Sequence, residues 1–425
     1  MVNVGYKIFA RILYVRLRSH AESVVGEYQC GFRRDRSTTN QIFNVRLIPQ
    51  KGIEFNIPTH NLFIDFKAAY VTIKRTELCK VMKKVRFESK LIRLVYATLN
   101  GSCSRIKVQN DFSNTFVTKE GLRQGDALST LLFNVALEGA IRRARIGTSN
   151  TLATNLSQIL GFADDLDLVG RTQTEVEEVF TSLVTEAATL GLKINIEKTK
   201  YMSSNRATNQ QQNEFVNVGG YEFEKVDEFQ YLGVSIRADG EMQGEIKRRI
   251  MIANRCFYGL QRQLRSNLLS KETKFNIYKT LIRPVLLYGS ESWSTTKSDE
   301  QLLLTFERKV LRTILGAKRV NGQYRRRYNF ELDREFGTPN IVAQVKVNRL
   351  RWAGHLARMN NDRAPLILFN KDPEGRRNRG RPRMRWKDNI EQDLTALNVS
   401  NWRRTAQDRN NWKIILNQAK SKLWM

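Results

Sequence analysis

Histidine and cysteine are scarce: the 425 residues include three His and four Cys. Cys30, Cys79, Cys103 and Cys256 are irregularly spaced with no C-x-x-C pair, and only His20, His60 and His355 could assist them. That excludes a structural zinc and a disulfide scaffold, and fits reduced thiols in an intracellular protein. No stretch reaches the roughly 18 consecutive apolar residues that a membrane-spanning helix needs. The opening MVNVGYKIFARILYVRLRSH ends in basic residues without the small-residue cleavage site of a secretory signal. Its lack of acid before Glu22 leaves a mitochondrial presequence open. Acidic residues are also few, 42 against 71 Lys and Arg, a formal net charge of +29 that calls for a polyanionic partner and makes a neutral metabolic enzyme a poor reading.

What is present is a folded chain. A hydrophobic fraction of 41% with 21 Phe, 13 Tyr and 6 Trp is too rich for a disordered basic tail. At roughly 150 residues per domain the length implies about three domains. No internal repeat is visible, but the polar segment 203–215 reads as an exposed loop and a plausible boundary. Thr174 and Glu177 form an expected capping box for a helix over 175–190, stopped by Gly191, after which LKINI reads as a short strand. A second helix is expected from about Ala127 to Arg145 with Leu128, Leu131, Leu132 and Val135 buried. From 242 onward the period turns helical: Ile246, Ile250, Ala253, Phe257 and Leu260, then Leu303, Phe306, Val310 and Leu311. Residues 321–425 hold 23 basic against 10 acidic residues and five of the six Trp, which suggests a separate basic module. The mixture of strands and helices predicts an α+β fold.

Two segments could carry chemistry. ILGFADDLDLVG (159–170) reads as a β-hairpin whose turn holds Asp164 and Asp165, and adjacent carboxylates in a tight turn suit a divalent cation as well as they suit a solvated turn. In NLFIDFKAAY (61–70), Asp65 follows the apolar run Leu62, Phe63, Ile64, either as a polar strand terminator or as a third carboxylate. Two strands delivering acids to one place is what a two-metal phosphoryl-transfer site requires, with ions about 3.5–4 Å apart.

QCGFRRDRST (29–38), LFIDFKAAY (62–70), GLRQGDALSTLLFN (121–134), FADD (162–165), GLKINIEKTKYM (191–202) and YLGVSI (231–236) occur in the order and spacing of a non-LTR, LINE-type retrotransposon reverse transcriptase, which the chain therefore resembles. The likeness continues through LYGSESW (287–293), RLRWAGHLARM (349–359) and RGRPRMRW (379–386). It implies a right-hand polymerase: partial fingers over 1–60, a palm over 61–237, a helical thumb over 238–320 and a basic, mainly helical C-terminal region over 321–425. It implies RNA-directed DNA synthesis from dNTPs on an RNA template and a DNA primer or target DNA, with two Mg²⁺ ions, Mn²⁺ as a substitute, no zinc and no membrane. The implied location is intracellular, in the nucleus and in cytoplasmic ribonucleoprotein.

By the same resemblance Asp65, Asp164 and Asp165 match the metal-holding catalytic carboxylates, and Lys198 the lysine that protonates pyrophosphate. Tyr70 falls at a steric gate against the sugar 2′ position, Gln124 and Gly125 beside the incoming nucleotide, and Arg36 at the triphosphate. Arg33 and Arg34 match finger cations, and Tyr231, Leu232 and Gly233 the primer grip. GRRNRGRPRMRWK (375–387) has seven basic residues and no acid, so Arg376, Arg377, Arg379, Arg381 and Arg383 are candidate phosphate contacts and Trp386 a base-stacking platform, although a solvated or targeting run reads equally well.

The chain departs from the pattern at Val71, which follows Tyr70 where the family usually has aspartate, and at Ser129–Thr130, where it has Ser-Pro. Finger residues and an endonuclease that precede this region in family members are not in the sequence, giving the expectation of an amino-terminally truncated copy with low processivity. The alternative function is a catalytically inactive nucleic-acid-binding remnant.

Overall fold

A computed structural model describes residues 4–147, 158–204, 214–377 and 384–422. They divide into two compact units: residues 1–229 with 362–377, and residues 230–361 with 378–425. The first unit is built on a six-stranded sheet. Its elements are helices α1 (Val4–Val24) and α2 (Thr38–Phe55), strand β1 (Thr59–Ile64), helices α3 (Arg75–Lys84), α4 (Ser89–Leu99) and α5 (Ala127–Arg143), strands β2 (Gln158–Phe162) and β3 (Asp165–Gly170), helix α6 (Gln173–Thr189), and strands β4 (Lys200–Ser204), β5 (Phe215–Val218) and β6 (Tyr221–Lys225). Sheet order is β2-β3-β1-β4-β6-β5, antiparallel except where β6 runs parallel to β4.

The strand period explains how β1 is held. Leu62 and Ile64 join one core cluster with Leu132 and Val135 of α5 and Phe180 and Leu183 of α6. Phe63 points to the opposite face and stacks on Phe229, ring centroids 4.2 Å apart. With both faces covered, β1 is a rigid base for whatever follows Ile64. Leu128, Leu131, Leu132 and Val135 are buried, as their spacing requires.

Local chemistry moved several boundaries. The cap of α6 is Thr172, which accepts from the Glu175 amide at 3.2 Å, while the Glu175 carboxylate accepts from the Arg171 amide at 2.7 Å. The helix thus starts two residues before the expected Thr174–Glu177 box, because the earlier Thr-x-x-Glu meets the end of β3 first. LKINI is not a strand: only Ile194 bridges, to Phe66, and the ladder resumes at β4. The 203–215 segment lies mainly outside the described residues and does not divide the units, since β5 and β6 after it extend the same sheet.

The second unit is helical. Strands β7 (Glu228–Tyr231) and β8 (Val234–Arg237) form a hairpin in which the chain passes from one unit to the next. Then come α7 (Gln243–Gly259), α8 (Lys297–Leu315), the ribbon β9 (Lys318–Val320) and β10 (Gln323–Arg325), α9 (Asn329–Phe336), α10 (Ile341–Ala357), α11 (Trp386–Ala396) and α12 (Arg409–Lys422). Ile246, Phe257, Leu303, Phe306 and Val310 share one core with Leu332, Ile341 and Val345.

The expected separate basic module is therefore corrected: α9 and α10 pack into the helical core through Leu332, Phe336, Ile341 and Val345, and residues 362–377 belong to the first unit. There Lys51 donates to the Lys371 carbonyl at 2.6 Å and to Asp372 at 2.9 Å, and Arg363 pairs with Glu27.

Candidate active site

β1 and the β2–β3 hairpin bring the three acids together by register. β1 and β3 pair Ile64 with Leu166, so Asp65, the next residue, continues the register opposite Asp165. The hairpin closes with Phe162 opposite Asp165, which makes Ala163 and Asp164 the turn. The expected Asp-Asp turn is corrected by one residue, and Asp165 is the first residue of β3. Ala163 has φ +59°, at the position where hairpin turns of this type prefer glycine. A side chain held there costs about 1–2 kcal/mol, so neighbours must impose it.

Gln29 does so. Its side-chain oxygen accepts from the Ala163 amide at 2.7 Å and from the Gly31 amide at 2.8 Å, while its nitrogen donates to the Ala163 carbonyl at 3.0 Å. Gly31 lies so close that a Cβ there would sit 2.2 Å from the Ala163 nitrogen, and its carbonyl accepts from Asn134 of α5 at 2.8 Å. Gln41 of α2 donates to the carbonyls of Tyr28 and Gly161. The QCGF segment is thus a clamp on the aspartate hairpin.

Asp65 is oriented in turn by Asn195, which donates to its carboxylate at 2.9 Å, and its amide donates to the Thr199 hydroxyl at 3.3 Å. Burial, then the charge of Asp65, raises the Asp164 carboxyl above its ordinary range. Asp165 has the accessible area of an exposed residue, yet it lies amid enough protein to lose hydration. That loss, with the charges of Asp164 and Asp65, pushes it up to about 6. Behind them Asp167, fully buried on Asn61, is pushed up to about 8 by burial. Among the described residues no three His, Cys, Asp or Glu side chains form a ready-made metal cage. The donor set of mutually repelling carboxylate oxygens nevertheless fits hard divalent cations such as Mg²⁺ or Mn²⁺, which would relieve that repulsion.

Tyr70 stands beside this cluster. Its ring stacks on Phe133 at 4.7 Å, its buried hydroxyl has no hydrogen-bond partner among the described residues, and burial together with the Asp164 charge raises its pKa. Val71 is exposed and its amide closes a turn on the Ala68 carbonyl. Gln124 and Gly125 form an exposed turn ahead of α5; Gly125 has φ +88° and a Cβ there would meet nothing within 4 Å. Arg75, which the sequence did not single out, holds the approach to that turn by donating to the carbonyls of Leu99, Thr118, Glu120 and Gly121.

The cations divide. Lys198 is exposed in the turn before Thr199, and Arg34 is exposed beside Asp35. Arg36 is paired with Glu27 through both carboxylate oxygens. Arg33 departs from its expected nucleic-acid role: it is buried and spends its guanidinium on Glu22 and on the Gly26 and Gln29 carbonyls. Arg376 is exposed and Arg377 pairs with Glu54 at 2.6 Å. Arg379, Arg381 and Arg383 lie outside the described residues. Trp386 is corrected from stacking platform to core residue, 2% exposed, its indole N–H donating to the Glu291 carbonyl at 2.8 Å.

In the second unit Leu232 and Gly233 are the β7–β8 turn, φ +46° and +76°, and Tyr231 before them is buried. The Leu232 carbonyl accepts from the Tyr288 hydroxyl at 2.9 Å and that of Gly233 from Arg248 and Arg249.

Residues 1–236 match the family described as reverse transcriptase (RNA-dependent DNA polymerase). A transposon-derived protein of Caenorhabditis elegans is 26% identical over 264 residues, covering 60% of this chain and 94% of that protein. The Pol polyprotein of the type-1 retrotransposable element R2 of Popillia japonica is 27% identical over 59% of this chain and 41% of its own length. An RNA-directed DNA polymerase from transposon BS of Drosophila melanogaster is 22% identical over 85% of this chain and 40% of its own. The chain thus spans about two fifths of these two Pol-type relatives. A solved telomerase of Candida tropicalis in complex with a telomeric RNA fragment is similar at a TM-score of 0.41 and 13% identity, covering 85% of this chain and 56% of that one. The family match takes in more than half of the chain and all three clustered aspartates, so the protein belongs to the reverse transcriptase family.

Proposed function

We propose that this protein is an RNA-directed DNA polymerase that extends a primer 3′ hydroxyl with dNTPs on an RNA template. The observation that carries the reading is the convergence of Asp65, Asp164 and Asp165 by strand register, with two of the carboxyls raised by burial and mutual charge. Bound Mg²⁺ would supply electrostatic stabilisation to the attacking oxygen and the departing pyrophosphate. Asn195 fixes the Asp65 carboxylate and Gln29 fixes the turn that presents Asp164, so both acids are positioned before substrate arrives.

Tyr70, wedged on Phe133 near Asp164, faces the sugar of the incoming nucleotide and rejects a 2′ hydroxyl by contact. The Gly125 turn leaves its backbone open to the nucleotide and template. Lys198, exposed in the turn before Thr199, supplies a proton to pyrophosphate. Primer extension on an RNA template with Mg²⁺, beside an Asp164→Ala control, tests the reading. Metal-dependent product in the unmodified chain alone is expected, and RNA binding without product would favour a catalytically silent remnant.

A further inference from the structure

The second unit contains a cavity of about 610 Å³ that lies beyond the residues matching the family. Five of its lining residues, Arg308, Lys309, Arg312, Arg326 and Arg327, are cationic, none is acidic, and Tyr328 stands at its edge. Helical period puts three of these there: α8 buries Leu303, Phe306, Val310 and Leu311, which turns Arg308, Lys309 and Arg312 away from the core. The segment leaving β10 supplies the other two.

The charge is not cancelled locally. Glu331 is taken up by Arg325 and Lys318 and Glu335 by Lys271; Asp333 lies beside Arg308 and Glu335 within reach of the Arg327 charge, so two carboxylates offset only part of five positive charges. Burial, then Arg326 and Arg308, lowers the pKa of Arg312, which means the cations are close enough to repel. Arg312 donates to Asn329 at 2.7 Å and to the Arg327 carbonyl at 3.5 Å, but the buried Nε groups of Arg308 and Arg312 have no partner among the described residues. Buried donors of this kind are ordinarily satisfied.

Aromatic surface lies alongside. Tyr328 and Phe330 are 57% and 61% exposed and stack on each other, centroids 5.8 Å apart with 16° between planes. Tyr324 on β10 is 74% exposed. Arg325 lies over the Tyr328 ring at 4.3 Å, so the open ring faces are those of Phe330 and Tyr324. A basic cavity beside open ring faces is the combination that single strands use, since a base must leave its stack to lie on a ring.

We propose that this cavity is a second nucleic-acid site, distinct from the aspartate cluster, that takes phosphodiester groups of a single strand with a base against Phe330 or Tyr324. Fluorescence anisotropy of the full chain tests it, with labelled 15-nucleotide single-stranded RNA, single-stranded DNA and a matched duplex over a KCl series. Lys309→Gln with Arg326→Glu is expected to weaken single-strand binding about tenfold and to flatten the salt dependence by roughly one to two contacts. Tyr324→Ala with Phe330→Ala is expected to weaken it about tenfold at unchanged salt slope. The RNA and DNA arms identify the preferred strand, and both losses should persist in an Asp164→Ala background. Crosslinking of 4-thiouridine RNA to the unmodified chain guards against misfolded variants and is expected to label peptides containing Tyr324, Tyr328 or Phe330. Unchanged affinity and slope in both variants, equal losses on duplex, or crosslinks confined to residues 1–236 would overturn the proposal.

Discussion

Among single residues, the aspartates were the most legible part of the site, because a carboxylate after an apolar strand run has no place in a core and must end at an edge or a ligand. The groups that orient them were not legible. Gln29 reaches Ala163 across 134 positions and Asn195 reaches Asp65 across 130, and neither residue type nor spacing distinguishes them from ordinary polar side chains. Arg33 shows the reverse error: a cation within a basic run is spent on internal carbonyls.

The raised carboxyls have a stability consequence. Asp165 binds its proton more tightly folded than unfolded, so its contribution is favourable at low pH and is lost as pH rises through about 6. In chelator, Asp165→Asn should raise Tm by about 2 °C at pH 7 and leave it unchanged at pH 4, while primer extension is lost; calorimetry at both pH values checks this. At Tyr70, substitution by Ala should raise ribonucleotide incorporation relative to dNTP at least tenfold, about 1.4 kcal/mol, read from competing nucleotides on one primer.

Among elements, the aspartate hairpin depends on a clamp that is remote in sequence. Gly31→Ala forces a Cβ onto the Ala163 backbone, where nothing flexible can yield, and should lower Tm by several degrees and abolish extension. Gln29→Ala leaves the Ala163 amide and carbonyl unpaired in a buried place, a loss of about 1–3 kcal/mol. It should cut kcat more than tenfold while the Kd for primer-template stays within twofold, because it disturbs the presentation of Asp164 and not the binding surface. Single-turnover kinetics with separate binding titrations distinguish the two. Helices α5 and α8 were legible because their apolar periods are long. The start of α6 was misplaced because two Thr-x-x-Glu pairs overlap, and the strand end decides between them. LKINI has strand composition, yet its chain is used to hold Asp65 through Asn195 and Thr199.

At the level of the whole molecule, composition pointed to a polyanionic partner and said nothing of how the chain is divided. The last hundred residues look like a tail because they are basic and rich in Trp, yet the Trp are largely structural. Trp412 donates to the Leu350 carbonyl at 3.1 Å and packs so closely on Gly354 that a Cβ there would overlap it. Arg349, fully buried, binds Asp393 at 2.7 Å and the Trp293 carbonyl. Ending the chain at Asn361 should therefore destabilise both units, lowering Tm by more than 5 °C and broadening the transition, whereas loss of a mere basic tail would weaken RNA binding and leave Tm unchanged; calorimetry beside RNA titration separates these results.

The central claim is that three aspartates gathered by strand register form a polymerase centre. Its most direct measurement is RNA-templated primer extension by the full chain with Mg²⁺ titrated in, run beside Asp164→Ala and Asp65→Asn proteins that bind the primer-template with unchanged Kd. Extension that follows Mg²⁺ and falls at least a thousandfold in both variants is expected. Product that persists in either variant, or no product from an unmodified chain that binds its primer-template tightly, would contradict it.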